Sequence, residues 1–185
     1  MYGRDGMVTA ASADAVGEAL KTRAMDEAPV GITVADATEP DMPLVYANAA
    51  FERITGYPPE YAVGRNCRFL QGADTRDEPI EQMRAAIREG RSVTVELRNY
   101  RRDGELFWNE VTIAPLYDDA GDVAYYVGFQ QDVTRRKEAE QAAAERAERI
   151  KREQTAQKHL LERLDGVVAD VTSAVTQADS RSVLH

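Results

Sequence analysis

Cysteine is almost absent from this chain of 185 residues, in which Cys67 is the only one. A single thiol excludes an intramolecular disulfide and fits a reducing compartment. Long apolar runs are absent too, since no stretch approaches the roughly 20 apolar residues of a membrane span. We also recognise no signal peptide at the start of the sequence. The sequence therefore predicts a cytoplasmic protein that does not cross a membrane.

Histidine is also scarce, and acidic residues outnumber basic ones. The two histidines, His159 and His185, lie far from Cys67 in the sequence, so we expect no Cys–His catalytic pair around the thiol. Nothing near Cys67 resembles a cluster of metal ligands, and we expect no metal. The net charge of −9 argues against direct nucleic-acid binding, which needs lysines and arginines clustered on one face.

Composition divides the chain into three regions. Residues 1–24 carry a helical apolar stripe, which predicts a short N-terminal cap helix. Residues 25–134 mix strand-like runs with turn signals and hold all seven prolines. Residues 135–185 have no proline and one glycine, Gly166, which predicts a long helix. The N-terminal stripe consists of Val16, Ala19, Leu20 and Ala24.

The predicted C-terminal helix carries a heptad-like seam of apolar and small residues, interrupted by Gln154 and Gln157. Because the helix is polar elsewhere, it cannot bury this seam alone, and we expect a coiled-coil-like homodimer. A helix folded back onto the core is the alternative, and the segment could instead begin a truncated output domain. The seam comprises positions 139, 143, 147, 150, 154, 157, 161, 164, 168, 171 and 175.

The middle region predicts an α+β fold. Two short strands, "ITVAD" and "PLVYA", precede a short helix, "NAAFERIT", that ends at Gly56 and Pro58. A longer helix, "TRDEPIEQMRAAIREG", is predicted to be capped by Thr75 or Asp77 and stopped by Gly90. Three further strands complete a five-stranded antiparallel sheet with helices over one face.

Two of those strands bring carboxamides onto a buried face. In "SVTVELRNYRRDGELFWNEVTIAP" the apolar residues alternate, and Asn99 and Asn109 fall on the apolar side. A three-residue loop around Gly104 would place the two asparagines opposite each other. Buried amides without hydrogen bonds cost roughly 1–3 kcal/mol each. The two amides therefore satisfy each other or backbone groups, or they bind a ligand that carries donors and acceptors.

Two further features accompany these amides. The last predicted strand ends in Gln130 and Gln131, and strand parity does not decide which one points inward. Cys67 lies in "GRNCRFLQG", with arginine on both sides. Two positive charges so close to a thiol either favour the thiolate or attract an anion.

These stretches resemble the light-oxygen-voltage (LOV) photoreceptor family, a branch of the PAS fold. "GRNCRFLQG" matches the signature of that family, and "NAAFERITGY", "LRNYRRDGELFWNE" and "YYVGFQQDV" are similar to its flanking motifs in order and spacing. The resemblance covers about residues 25–134. It implies a PAS fold and a non-enzymatic blue-light sensor that binds FMN, or less often FAD or riboflavin.

The resemblance also implies roles for individual residues. Cys67 would form a reversible adduct with flavin carbon C4a in blue light. Asn99 and Asn109 would hydrogen-bond the pyrimidine edge of the ring. Gln130 would contact O4 and N5, reorient on illumination, and shift the last strand, which runs through "DVTRR" into the long helix. That helix would pass the signal to an output domain or a protein partner.

The rest of the implied site holds the flavin tail and lines the ring. Arg68 and Arg84 would bind the phosphate, whose oxygens match the donors of a guanidinium. Tyr126 stands where phenylalanine or leucine is common in the family, and it could donate an electron to excited flavin and so lower the adduct yield. The remaining implied contacts are Asn66, Leu70, Gln71, Ile87, Leu97 and Ile113.

Two other functions stay open at this point. One is a flavin-dependent redox protein that uses Cys67, although the sequence shows neither a partner cysteine nor an acid or base near the thiol. The other is a PAS dimerisation module without ligand. The set of inward-facing amides argues against that module, because an empty polar cavity is costly.

Overall fold

The computed structural model describes residues 10–182, with side chains described at 17, 19–170 and 172–174. Helix α1 and two strands open the chain, three short helical segments and a longer helix follow, and three long strands lead into α5. The elements are α1 (Ala10–Asp26), β1 (Gly31–Asp36), β2 (Leu44–Ala47), α2 (Ala49–Thr55), α3 (Pro59–Ala62), a 3₁₀ turn (Cys67–Leu70), α4 (Asp77–Arg88), β3 (Val93–Tyr100), β4 (Leu106–Tyr117), β5 (Val123–Asp132) and α5 (Thr134–Ser182).

The strands form one antiparallel sheet in the order β2-β1-β5-β4-β3. The first and last strands of the fold are therefore neighbours at its centre. Helix α2 packs on β1, and α4 packs on β3. The predicted five-stranded α+β fold with a long C-terminal helix is confirmed.

Asn48 joins three elements at the start of the fold. Its side-chain oxygen accepts from Phe51 N at 2.9 Å, which caps α2, and from Ile32 N at 2.8 Å, which holds β1. Its amide nitrogen donates to Met25 O, near the end of α1, at 2.7 Å. The residue is fully buried. Helix α2 then ends at Gly56, whose φ of 73° suits glycine, as the sequence predicts.

The start of α4 differs from the prediction. Arg76 occupies the N-cap position without a side-chain hydrogen bond, so neither Thr75 nor Asp77 caps the helix. The Thr75 hydroxyl is used elsewhere: it donates to Arg98 O at 2.6 Å and accepts from Gly72 N at 3.0 Å. This threonine ties the loop before α4 to strand β3, which is a long-range contact that a local capping rule cannot anticipate.

The β3–β4 register also differs from the prediction. Asn99 lies opposite Phe107, and Asn109 lies opposite Leu97, so the two asparagines are offset rather than paired. The reason is the position of Gly104 in the loop. Gly104 N donates to Arg101 O at 3.0 Å, and Gly104 has a φ of 88°, so the glycine ends a tight turn instead of standing at its centre. The offset is an even number of residues, so both amides keep the same face.

The terminal helices expose their apolar side chains. On α1, Ala19, Leu20 and Ala24 are exposed, whereas the side chain of Val16 lies outside the described set. On α5, the seam residues Ile150, Leu161, Leu164 and Val168 are between 46% and 63% exposed. Positions 171 and 175 of the seam also lie outside the described side chains. Over residues 10–182, none of the helices has the length and apolar character needed to cross a membrane.

Candidate functional site

A cavity of about 230 Å³ lies between the inner face of the sheet, helix α4 and the 3₁₀ turn. The structure brings to its wall every residue that the sequence named as a candidate. The amides and the thiol lie there together with both arginines and the predicted apolar contacts. The set is Asn66, Cys67, Arg68, Leu70, Gln71, Arg84, Ile87, Leu97, Asn99, Asn109, Ile113, Tyr126 and Gln130.

Three carboxamides form the polar wall of the cavity. Asn99, Asn109 and Gln130 are each at most 3% exposed, whereas Gln131 is exposed, so Gln130 is the inward-pointing glutamine. Asn109 Nδ2 donates to Asn99 Oδ1 at 3.0 Å, and Asn99 Nδ2 donates to Arg98 O at 3.2 Å. The oxygens Asn109 Oδ1 and Gln130 Oε1 are buried without a partner. Unpaired buried acceptors are costly, so this wall suits a ligand that donates hydrogen bonds.

The thiol of Cys67 begins the 3₁₀ turn. Asn66 caps this turn by accepting from Arg68 N at 3.0 Å, and it donates to Asp41 O at 2.5 Å. Burial raises the pKa of Cys67 to about 12. The thiol is therefore neutral at physiological pH, and the adjacent arginines do not convert it to a thiolate.

The arginines around Cys67 point to other partners. Arg65 lies over the Tyr61 ring at 4.5 Å and donates to Tyr61 O at 2.9 Å. Arg68 forms an ion pair with Asp41, and both side chains are more than half exposed. Of the two readings of these charges, attraction of an anion fits the geometry better than activation of the thiol.

Arg68 and Arg84, the two candidates for binding a phosphate, lie at the rim of the cavity. Arg84 pairs with Glu81 at 3.5 Å and is 65% exposed, so it is as accessible as Arg68. Gln71 follows the 3₁₀ turn with extended backbone, at φ −83° and ψ 156°, and it still lines the cavity. The rim therefore offers two guanidinium groups, each held by a carboxylate that an incoming anion would have to displace.

Tyr126 closes the cavity on the side of α4. Its hydroxyl donates to Ile87 O at 2.8 Å, which ties β5 to the last turn of α4, and the residue is buried. Burial raises the pKa of Tyr126 above that of an exposed tyrosine. The phenol is thus neutral, and its ring faces the cavity.

Sequence reasoning missed part of the wall on β1 and β5. Thr33 Oγ1 accepts from Gln130 Nε2 at 3.0 Å, and Gly128 lies beside this pair. The alternation in "GITVAD" places Thr33 and Ala35 on one face of a strand. It does not reveal that β1 pairs with β5. The wall residues outside the candidate set are Thr33, Ala35, Met42, Leu44, Ile80, Met83, Val111 and Gly128.

Beyond the cavity, hydrogen bonds connect the end of β5 to the start of α5. Asp132 Oδ1 accepts from Thr134 N, and Thr134 Oγ1 accepts from Trp108 N, both at 2.9 Å. Arg101 holds the other oxygen of Asp132 at 2.6 Å. Among the described residues, no group of three or more histidine, cysteine, aspartate or glutamate side chains could hold a metal ion.

Comparison with known proteins identifies the domain. Residues 29–135 match the PAS domain family. The solved LOV domain from the Erythrobacter litoralis EL346 blue-light activated histidine kinase is 44% identical, with a TM-score of 0.56 over 58% of this chain and 99% of that one. This chain belongs to the LOV branch of the PAS family.

Other relatives place the LOV domain in larger proteins. A structure described as an RNA-binding light-oxygen-voltage receptor is 44% identical, with a TM-score of 0.68 over 80% of this chain and 40% of that one. The bacterioopsin transcriptional activator of Halobacterium salinarum is 48% identical over 166 residues, which is 90% of this chain and 24% of the activator. The chain spans less than half the length of the curated relatives it matches.

Proposed function

We propose that this chain is the blue-light-sensing part of a signalling protein, that it binds FMN, and that Cys67 is its photoreactive residue. One observation carries the proposal: a neutral, half-buried thiol shares a cavity with three buried amides, two of whose oxygens lack partners. A flavin ring offers both donors and acceptors along its edge. The similarity to LOV domains of blue-light-activated proteins supports the same ligand.

Each group of residues has a distinct role in this proposal. A bound flavin would supply blue-light absorption and a reversible acceptor for the Cys67 thiol, whose sulfur and proton would both pass to the ring in the light and return to Cys67 in the dark. Asn99 and Asn109 orient the ring edge, and Gln130 contacts its central part. Because the pKa of Cys67 is raised, the residue enters this chemistry as a thiol, and the site needs no general base.

The rim and the apolar wall hold the rest of the ligand. Arg68 and Arg84 bind the phosphate once it displaces their carboxylate partners. Leu97, Ile113 and Ile87 pack on the ring from the sheet and from α4. FAD and riboflavin carry the same ring, and the two exposed arginines favour FMN over riboflavin through its phosphate.

We infer that the signal leaves through β5. A change in the hydrogen bonds of Gln130 acts on the strand that ends at Asp132, and Asp132 and Thr134 join that strand to α5. Helix α5 is proposed to pair with the α5 of a second copy through its exposed seam. The chain would act in the cytoplasm without chemical turnover and would regulate an output segment or a protein partner.

Absorption spectroscopy of the purified chain tests the photochemistry. The protein offered FMN should be yellow, lose its blue absorption on illumination, and recover it in the dark, whereas Cys67→Ser should stay yellow throughout. A colourless protein would indicate a ligand-free module. A yellow protein whose flavin is reduced by a nicotinamide donor, without a dark-reversible adduct, would indicate a redox enzyme.

Hydrogen exchange of residues 135–180, compared in dark and light, tests the output route. Faster or slower exchange along α5 on illumination is expected. Identical exchange in both conditions would refute the route through β5, while leaving the photochemistry to be judged by its own spectra.

A further inference from the structure

Gln130 is held by Thr33, a residue on the neighbouring strand that also lines the cavity. Strands β1 and β5 are antiparallel, with Gly31 opposite Gln130 and Thr33 opposite Gly128. Gln130 Nε2 donates to Thr33 Oγ1 at 3.0 Å, and both residues are 3% exposed. A buried hydrogen bond between two side chains therefore fixes one end of the glutamine amide.

Two glycines leave room for this hydrogen bond. A Cβ added at Gly128 would lie 2.7 Å from Thr33 Oγ1 and 2.9 Å from Gln130 Nε2. A Cβ added at Gly31 would lie 3.2 Å from Gln130 Oε1. Because a Cβ does not approach other atoms within 3.0 Å, a side chain at Gly128 would displace Thr33, Gln130 or both. The backbone on both strands is thus shaped around this pair.

The hydroxyl of Thr33 can serve either orientation of the amide. A hydroxyl both donates and accepts hydrogen bonds, whereas the nitrogen of a glutamine amide only donates and its oxygen only accepts. In the orientation observed, Nε2 bonds to Thr33, and Oε1 lacks a partner. In the reversed orientation the Thr33 hydroxyl would donate to Oε1, and Nε2 would become available to an acceptor in the cavity.

We infer that Thr33 is a positioning residue for Gln130, and that its hydroxyl gives the amide one hydrogen bond in the orientation before reorientation and one in the orientation after it. This inference rests on the proposed function. It concerns how fast Gln130 turns its amide so that the nitrogen, instead of the oxygen, faces the ligand. A partner that can bond either end of the amide stabilises both orientations, so neither one leaves a buried polar group facing Thr33 unpaired. Valine has the shape of threonine but no hydroxyl, so it would leave the end of the Gln130 amide that faces position 33 unpaired.

The dark-recovery rate after a light pulse tests the inference in the flavin-loaded full chain. Thr33→Val should slow recovery about fivefold, the equivalent of one net hydrogen bond, whereas Thr33→Ser keeps the hydroxyl and should stay within about twofold of the parent. The light-minus-dark infrared band of the glutamine carbonyl should shift in Thr33→Val and not in Thr33→Ser. Equal recovery rates in Thr33→Val and the parent would overturn the inference.

A second readout does not depend on photochemistry. In ¹⁵N-labelled protein, with or without flavin, the Gln130 side-chain protons should exchange slowly with solvent in the parent and in Thr33→Ser, and faster in Thr33→Val. Unchanged exchange in Thr33→Val would show that Thr33 does not hold the amide. If no flavin is retained, the proposed function fails, while the exchange measurement still decides whether Thr33 positions Gln130.

Discussion

Asn109 Nδ2 donates to Asn99 Oδ1 at 3.0 Å although the two residues are offset across β3 and β4, with Asn109 opposite Leu97. The side chain of each amide reaches diagonally along one face of the sheet. This arrangement satisfies Asn99 but leaves Asn109 Oδ1 buried without a donor. The pair is therefore incomplete by one hydrogen bond, and a ligand at the cavity wall would complete it.

Asn109→Leu should separate ligand affinity from fold stability. Flavin affinity should fall at least about tenfold, since the contacts of one amide are lost. The free energy of unfolding of the flavin-free chain should change by less than about 1 kcal/mol, because one unpaired oxygen disappears while Asn99 Oδ1 loses its donor. Flavin fluorescence titration and urea unfolding measure the two quantities.

Thr112→Val is the matched control for that variant. Thr112 lies on the same strand and shares a 2.8 Å hydrogen bond with Thr94, but it is half-buried on the other side of the sheet. Its replacement should leave flavin affinity unchanged. If both variants lose affinity equally, the loss comes from disturbing β4, and the asparagine has no special role.

The raised pKa of Cys67 predicts how stability depends on alkaline pH. The thiol has a folded-state pKa of about 12 against the usual 9.0, so the unfolded chain releases the proton first as pH rises. The contribution of the neutral thiol to the free energy of unfolding is fully present below pH 9 and is lost between pH 9 and pH 12. At pH 10 the loss should be roughly 1.4 kcal/mol, which is one pKa unit.

Urea unfolding of the parent and Cys67→Ala between pH 7 and pH 10.5 measures this difference. Burial also raises the pKa of Tyr126, but this tyrosine contributes equally to both proteins. The parent should lose stability more steeply with pH than the alanine variant. Parallel curves would mean that the thiol is solvated like an exposed cysteine.

Asp41→Asn should improve discrimination between flavins. Asp41 holds Arg68 in an exposed ion pair, so its carboxylate competes with a ligand phosphate for the same guanidinium. Removing the charge should raise FMN affinity by up to about fivefold, since exposed pairs contribute little, and should leave riboflavin affinity unchanged. The ratio of the two dissociation constants is the measured quantity.

Glu89→Gln provides the charge-matched control for Asp41→Asn. Glu89 pairs with Arg91 at the surface, and neither residue lines the cavity. The variant changes the net charge by the same amount as Asp41→Asn. It should leave the ratio of the FMN and riboflavin dissociation constants unaltered. An equal gain in riboflavin affinity for Asp41→Asn would show that Asp41 acts on the shape of the pocket instead of on the phosphate.

The cavity wall could be predicted wherever a local pattern encodes it. Alternation along β3 and β4 identified the buried face that carries Asn99 and Asn109, because strand parity is a local property. The register of that hairpin could not be read equally well, since it depends on where Gly104 falls within the turn. The predicted register was wrong by an even number of residues, so the side chains stayed on the predicted face of the sheet.

Contacts between distant segments lay beyond the sequence patterns. Thr33 and Gln130 are 97 positions apart, and they meet only because β1 lies beside β5 in the sheet. The Asp41–Arg68 ion pair depends on a loop in which Asp41 has a φ of 71°. Neither the strand order nor an unusual backbone angle at a non-glycine residue leaves a signature in hydrophobic periodicity.

Tyr126→Phe should change both stability and photochemistry. Loss of the 2.8 Å hydrogen bond to Ile87 O should lower the free energy of unfolding by about 1 kcal/mol. The yield of the Cys67 adduct per absorbed photon should rise, since phenylalanine is a poorer electron donor than tyrosine. Tyr125→Phe, at an exposed neighbouring position, should change neither quantity. An unchanged adduct yield in Tyr126→Phe would refute the competing electron transfer.

The seam on α5 predicts the oligomeric state. Leu161 and Leu164 are 55% and 51% exposed, and two leucines three residues apart on a polar helix are typical of a surface that pairs with another helix. Light scattering of the parent should give twice the chain mass of 20.5 kDa, and Leu161→Asp with Leu164→Asp should give 20.5 kDa. Arg163→Glu adds negative charge between these positions but off the seam, and should remain dimeric. A double variant that keeps the dimer mass would place the interface elsewhere, and a monomeric parent would exclude the pairing of α5 helices.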